Sequence, residues 1–461
     1  MFDLTNSAKQ TRCSPIMTPI KTPSKIKIGL TTLGCKVNQC DTAALAEALQ
    51  KKGFCLVPFG SAADFYIINT CTVTAFADFQ ARQLMRRACR SNPLAKIIVT
   101  GCYAQRAPAE LAALDNSSLI IGNDYKNKII DILQEDSTVF ENRTLVNNNR
   151  EQNKFNTLPA ANFYEHTRAF LKIQDGCDSF CSYCIVPFVR GKSRSLPPAQ
   201  TLNALRNFID NGYKEVVLTG IHLGFYGRDL SPSLGLADIL RQIAGQNPDV
   251  RIRLSSIEPL EITADLLSLL RNHDIFCPHL HIPLQSGDDK ILKLMRRNYD
   301  TRSYRKIIDK TCLAIPDVAV GADIMVGFPG EGEKEFNNTL ALLQDLPLAY
   351  LHVFPYSERP QTAAQQLPDK VPAAVKKERA AVLRNLSLQK KEAFAKRFVG
   401  KSLNILIEKT KDKKTGLLKG FSENYLSVLV ENDDPAAVNT IVAVNITNWR
   451  KGRLYGKIIN G

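Results

Sequence analysis

The sequence predicts an α/β protein in three parts: a Rossmann-like parallel-sheet domain, a partial (β/α)6 barrel, and a small antiparallel β-barrel. Three observations predict it. Strand-like and helical runs alternate from Lys25 to about Asn123, the pattern of a parallel sheet. Six further strand candidates alternate with amphipathic helices between Thr167 and Leu367, and repeated βα units in one domain close into a barrel or wrap partway. From Lys401 to Gly461 the apolar runs are short and alternating, as in a small closed sheet.

Residues 1–24 carry Thr, Pro, Ser and Lys with no apolar stretch, so they are expected to form a flexible extension and not a secretory signal. The first domain is expected over 25–140. Its strands are Lys27–Leu33, Asp64–Asn69 and Lys96–Thr100, with helices over Asp41–Lys51 and through Gln80–Cys89. Cys35, Cys71 and Cys102 each fall just after one of these strands. The carboxyl ends of parallel strands share one edge, where ligands bind. The three thiols, 36 and 31 residues apart, are therefore expected to converge. Any one of them alone reads as a buried structural cysteine; three at strand ends read as ligands of a metal centre. A polar segment, Glu141–Asn162, has no apolar period and is expected as the linker.

The barrel strands are expected at Ala169–Gln174, Glu215–Ile221, Arg251–Ile257, His279–Gln285, Val318–Val326 and Leu348–Pro355. Helices over Ala199–Asp210, Leu236–Ala244 and Glu333–Leu343 separate some of them. Just past the first strand stands Cys177-Asp-Ser-Phe-Cys181-Ser-Tyr-Cys184. Three thiolates on one short loop are one fewer than the four that saturate an iron–sulfur cube or a structural zinc. A cube held this way keeps one iron free for a substrate or cofactor. A zinc knuckle or three unrelated thiols is the alternative, but no second CxxC-like pair or close His follows. The last part is expected to hold strands around Leu403–Glu408, Asn424–Val430, Thr440–Val444 and Arg453–Ile458.

The composition is that of a globular protein: 461 residues, 44 % hydrophobic and 23 % charged. No apolar run approaches the roughly 20 residues that span a bilayer, so no membrane association is expected. Twelve cysteines without an export signal argue for a reducing, cytoplasmic setting and against a disulfide framework. The net charge of +15 suits a polyanionic partner. Between Lys370 and Lys419 there are fifteen Lys/Arg against four Asp/Glu, a surface fit for RNA phosphates or a solvated helix face.

The CxxxCxxC loop, with aromatic Tyr183 before its last cysteine, resembles the radical S-adenosylmethionine (SAM) enzymes. Arg168–Cys177 and Ile185–Gly191 resemble the methylthiotransferase branch, as do Gly34-Cys35-Lys-Val-Asn38, Asn69-Thr-Cys71 and Gly101-Cys102-Tyr-Ala-Gln105. The likeness runs from about Lys27 to Gly461. It implies two [4Fe–4S] clusters, one on Cys177, Cys181 and Cys184 and an auxiliary one on Cys35, Cys71 and Cys102. It also implies a radical SAM core over 163–397 and a TRAM-like RNA-binding domain over 398–461. By the same likeness Tyr183, Thr219, Gly220, Ser255, Glu258, Gln285, Asp323 and Gly327 are candidates to hold SAM. Each also has a plain reading as turn, cap or strand-end chemistry. The resemblance further implies that SAM serves both as methyl donor and as source of a 5′-deoxyadenosyl radical, and that no catalytic side chain is needed beyond the clusters. A monomer served by an electron donor such as flavodoxin or ferredoxin is the expected state.

Thr32-Leu-Gly-Cys35-Lys-Val-Asn-Gln39 is most similar to the group acting on N6-threonylcarbamoyladenosine at tRNA position 37, so the tRNA anticodon arm is the expected partner. N6-isopentenyladenosine 37 and a ribosomal-protein aspartate are the alternative substrates. A redox-sensing iron–sulfur protein that binds RNA is the non-enzymatic alternative. Cys13, Cys40, Cys55, Cys89, Cys277 and Cys312 read as structural, with Cys40 the one placed to compete as a ligand.

Overall fold

A computed structural model of the chain describes residues 26–114, 119–134, 143–147, 155, 167–431 and 435–459. The expected extension at 1–24 lies outside the described residues. The chain divides into two compact units: one comprises Met1–Asn162 with Ile185–Lys192, the other Phe163–Cys184 with Ser193–Gly461.

The first unit is a doubly wound sheet. Its elements are β1 (Lys27–Thr32), α1 (Lys36–Lys51), β2 (Cys55–Val57), β3 (Phe65–Thr70), α2 (Ala75–Ser91), β4 (Lys96–Gly101), α3 (Cys102–Arg106), α4 (Pro108–Ala112), β5 (Leu119–Ile121), α5 (Lys128–Gln134) and β6 (Arg143–Leu145). All strands are parallel, in the order β2-β1-β3-β4-β5-β6. The strands are apolar on both faces because helices cover both. Tyr66, Ile68, Ile97 and Val99 pack with Ala81, Met85 and Ala88 of α2. The alternate residues Ile67 and Ile98 pack with Leu45 and Leu49 of α1 and Ile129 of α5. Such fully buried side chains contribute about 1.5–3 kcal/mol each. Strand β6 falls inside the polar segment expected as a linker, and pairs with β5.

In the second unit the chain runs β7 (Ala169–Lys172), β8 (Gln174–Asp175), then α6 (Val186–Arg190), which belongs to the first unit, and β9 (Arg194–Ser195). There follow α7 (Pro198–Asp210), β10 (Glu215–Thr219), α8 (Leu236–Gly245), β11 (Arg251–Leu254), α9 (Ala264–Asn272), β12 (His279–His281), α10 (Asp289–Leu294), α11 (Thr301–Ala314), β13 (Ala319–Val326), α12 (Glu333–Asp345) and β14 (Tyr350–Pro355). Two three-stranded parallel sheets, β7-β10-β11 and β12-β13-β14, are joined by the bridges Ile252↔Phe276 and Ser256↔His281. This is a six-strand partial barrel. Helix α13 (Ala373–Lys396) lies along β14, where Ser387 bonds the backbone of Leu351 in both directions at 2.9 Å.

The C-terminal strands β15 (Ser402–Ile407), β16 (Leu418–Ser422), β17 (Ser427–Val430), β18 (Ile441–Arg450) and β19 (Arg453–Ile458) close in the order β15-β16-β17-β19-β18. Four of the five strand pairs are antiparallel, as expected of this small barrel, and the β17–β19 pair is parallel. This barrel seats against the amino ends of β7, β11, β13 and β14. Arg253, buried, grips Glu215 through two bonds of 2.7 and 3.0 Å and donates to the carbonyls of Glu423 and Ser422. Burial alone would raise the Glu215 carboxyl; Arg253 outweighs it and holds it below its ordinary range. Arg251 reaches Glu423 at 2.9 Å, and Arg168 pairs with Glu408 at 3.1 Å while lying 4.3 Å over the Phe421 ring.

Candidate iron–sulfur and SAM sites

The first unit gathers its three cysteines by topology. In the strand order 2-1-3-4-5 the winding reverses between β1 and β3, and ligands settle at the carboxyl ends there. Thr70 pairs with Gly101, so Cys71 and Cys102 leave neighbouring strands side by side. Cys35 caps the start of α1, three residues after β1. Gly34 and Gly101, the residues before Cys35 and Cys102, both have positive φ, 97° and 95°. A Cβ on Gly34 would lie 2.6 and 2.8 Å from the Cys71 Cβ and Sγ, so only glycine lets these two loops meet.

Side chains lash the three loops together. Asn38 Nδ2 donates to the carbonyls of Leu33 (2.7 Å) and Thr70 (3.0 Å). Asn69 Nδ2 donates to the Asn38 carbonyl at 3.0 Å and to Thr42. Thr70 Oγ1 donates to the Thr100 carbonyl at 2.6 Å and accepts from the Tyr103 N–H at 3.2 Å. Arg190 of α6, 2 % exposed, donates to Asn38 Oδ1. Ile185 and Val189 pack on Cys102. Burial pushes the Cys71 thiol up to about 12, and the neighbouring Cys102 and Cys35 sulfurs push the same way against Arg190. Burial raises the Cys35 thiol as well, and a cationic centre would offset that cost, since a coordinating thiol is deprotonated outright. The donor set fits an iron–sulfur cube lacking one protein ligand. Cys40 is buried on α1.

In the second unit the Cys177–Cys184 loop follows β8. Ser182 pins it, its N–H donating to the Met295 carbonyl at 3.0 Å and its hydroxyl to the Leu294 carbonyl at 2.7 Å. Tyr183 packs edge-on against Phe328, which makes it a buttress of the loop. Two cations address the sulfurs. Arg297 Nη1 donates to Cys181 Sγ at 3.2 Å, while its other donors hold Glu258 and Tyr299. His222 Nδ1 stands 3.4 Å from Cys177 Sγ and its Nε2 2.7 Å from Glu261. Burial works against the His222 cation, but Cys177 and Glu261 together raise its pKa to about 9.

The proposed SAM contacts divide in two. Thr219 Oγ1, Ser255 Oγ and Gln285 Oε1 are buried polar atoms with no hydrogen-bond partner among the described residues. They stand at or just past the carboxyl ends of β10, β11 and β12. A buried polar atom left unpaired costs about 1–3 kcal/mol, so three of them fit a polar ligand such as SAM. The remaining candidates have protein roles in view. Glu258 is taken by Arg297. Asp323 accepts from His281 at 2.9 Å and pairs with His352 at 3.4 Å, contacts that outweigh its burial and hold its carboxyl well below the usual range. Gly220 leaves room for Gln174, whose Oε1 accepts from the His222 N–H at 2.8 Å. The Gly327 N–H donates to Glu331 at 2.8 Å.

Sequence reasoning missed Arg190, His222, Glu261 and Arg297. Arg297 stands 116 residues from the sulfur it addresses, and no periodicity links the two. His222, three residues after Thr219 at the end of β10, carried the one usable signal.

A six-strand parallel barrel with a CxxxCxxC loop after its first strand and unsatisfied polar atoms at its strand ends defines a radical SAM enzyme. Residues 171–343 match the radical SAM superfamily, and residues 27–122 match the uncharacterized protein family UPF0004. The chain is 38 % identical to the threonylcarbamoyladenosine tRNA methylthiotransferase MtaB of Bacillus subtilis, over 90 % of this chain and 92 % of that protein. It is also 38 % identical to the MtaB of Aquifex aeolicus, over 83 % and 93 %. Identity is 31 % to the tRNA-2-methylthio-N(6)-dimethylallyladenosine synthase of Bartonella quintana, over 97 % and 99 %. The radical SAM methyltransferase TsrM from Kitasatospora setae shares the fold, with a TM-score of 0.55, 12 % identity and coverage of 74 % of this chain and 77 % of that one. The chain belongs to the radical SAM methylthiotransferases that modify tRNA. No helix among the described residues is long and apolar enough to cross a membrane.

Proposed function

We propose that this enzyme methylthiolates C2 of N6-threonylcarbamoyladenosine at position 37 of tRNA, with a [4Fe–4S] cluster on each three-cysteine site and SAM in both of its roles. The observation that carries the reading is the pair of separate three-cysteine sites, each braced by buried polar side chains. The 38 % identity to MtaB proteins supports the nucleoside.

When bound, the clusters and SAM supply the sulfur, the methyl group and the radical. The chain's own residues hold and shield. Asn38, Asn69 and Thr70 fix the spacing of the Cys35, Cys71 and Cys102 loops. Arg297 and His222 place positive charge on the Cys181 and Cys177 sulfurs. Thr219, Ser255 and Gln285 offer SAM its polar contacts, and the barrel wall keeps water from a reactive intermediate. The non-acidic C–H at C2 leaves no task for a general base.

The test is mass analysis of tRNA nucleosides after reaction with the reconstituted enzyme. The 2-methylthio product forms from threonylcarbamoyladenosine and is abolished by Cys→Ala at any of the six positions. Product from dimethylallyladenosine instead would move the enzyme to its Bartonella relatives' substrate. A ribosomal protein that gains the mass while tRNA does not would sink the tRNA reading.

A further inference from the structure

Helix α2 begins four residues after Cys71 and shows the solvent an unusual face. Its inner side carries Asp78 and the apolar Ala81, Met85 and Ala88. Its outer side carries Phe76 and Phe79, which are 63 % and 43 % exposed, and Val73 just before the helix is 52 % exposed. The two rings are stacked, 6.2 Å apart with 27° between planes. Beyond them the same face continues through Gln83 to Arg86, Arg87 and Arg90, all exposed, at spacings of three and four residues that keep them in line. Among the described residues none of these three arginines forms an ion pair. Thr74 Oγ1 accepts from the Ala77 N–H and sets where the helix starts, so the platform stands on a fixed base.

Exposed Phe rings forfeit roughly 25 cal/mol for each Å2 of apolar surface left in water, and a contiguous exposed patch marks a binding site. The chemistry of the neighbours selects the partner. An apolar protein surface would be matched by more apolar surface along the helix; here the rings give way to unpaired guanidinium groups, on a chain of net charge +15. Aromatic faces stack unpaired bases whatever their identity, and arginines follow the phosphates of the same strand. We propose that Phe76 and Phe79 stack an unpaired base of the substrate RNA loop, and that Arg86, Arg87 and Arg90 hold the phosphates of the strand running on from it. This rests on the tRNA reading above and adds where the loop is gripped, beside the Cys71 turn.

The experiment is equilibrium binding of an anticodon stem-loop RNA to the reconstituted holoenzyme at several salt concentrations. The F76A/F79A double variant should bind about tenfold more weakly or worse, since one base–aromatic stack is worth about 1–3 kcal/mol, with an unchanged salt slope. F76Y/F79Y, which keeps the rings, should bind as the wild type does. R86Q/R87Q/R90Q should flatten the salt slope by about 2, at about 0.7 per phosphate contact on a single strand. All these side chains are exposed, so iron content and melting temperature should stay at wild-type values. Wild-type affinity in F76A/F79A overturns the platform and leaves the tRNA reading standing. A wild-type enzyme that binds no tRNA overturns both.

Discussion

At the scale of single residues, the three-cysteine site of the first unit depends on a hydrogen atom. Gly34 has no Cβ because the Cys71 side chain occupies its place. Gly34→Ala should therefore displace the Cys35 or Cys71 loop and cost the protein the cluster proposed on these cysteines. Anaerobic iron and sulfide analysis should show the loss, while the Cys177–Cys184 site keeps its SAM-dependent EPR signal. Arg297 makes a second residue-scale prediction. A cation donating to a ligand sulfur stabilises the reduced, more negative cluster, so Arg297→Met should lower its midpoint potential. The expected shift is on the order of tens of millivolts, about 59 mV being tenfold for a one-electron couple. A redox titration followed by EPR reads it, and an unchanged potential would show that the Arg297–Cys181 bond has no electronic effect. The convergence of Cys35, Cys71 and Cys102 was legible in the sequence, because each follows a strand of one parallel sheet and that spacing is local. Arg297 and Arg190 were not, because their partners are chosen by the tertiary fold.

At the scale of elements, the long apolar strands β3, β4, β10 and β13 could be read directly. The short strands β2, β5 and β6 could not, since three residues carry no period; β12, equally short, was read only as part of the longer apolar run His279–Gln285. Strand β6 is Arg-Thr-Leu, and its neighbours are polar; pairing with β5 makes it a strand. Strand β16 escaped for a related reason, with Lys419 and Gly420 in its middle. The polar part of the contact between the partial barrel and the small barrel was equally hidden, because it is made by charged residues at strand starts. Arg253 and Glu215 are 2 % and 0 % exposed, and removing one partner of a buried pair costs about 3–5 kcal/mol. Arg253→Met should lower stability by that order in thermal or denaturant unfolding. Glu215→Leu combined with Arg253→Met should recover part of the loss, because no charge is then stranded.

At the scale of the whole molecule, the core does not stop where the partial barrel ends. Phe394, Ala395 and Phe398 of α13 and its end share one cluster with Ile405, Val428, Val444 and Leu454 of the small barrel, and with Ala319 and Ala349 at the starts of β13 and β14. Truncation after Arg397 should therefore expose this cluster along with Arg253 and Glu215. The expected product is aggregated or poorly folded, as judged by size-exclusion chromatography, and not a tidy enzyme that merely lacks RNA affinity. A soluble, cluster-loaded truncation would show that the small barrel is a detachable appendage.

Ile185–Lys192 folds with the first unit, although the chain reaches it only after two strands of the second. A gene divided anywhere in the polar stretch after β6 would yield an N-terminal fragment without Arg190, Ile185 and Val189, the groups that steady Asn38 and cover Cys102. Co-expressed halves could regain function only by threading that octapeptide home from the other polypeptide.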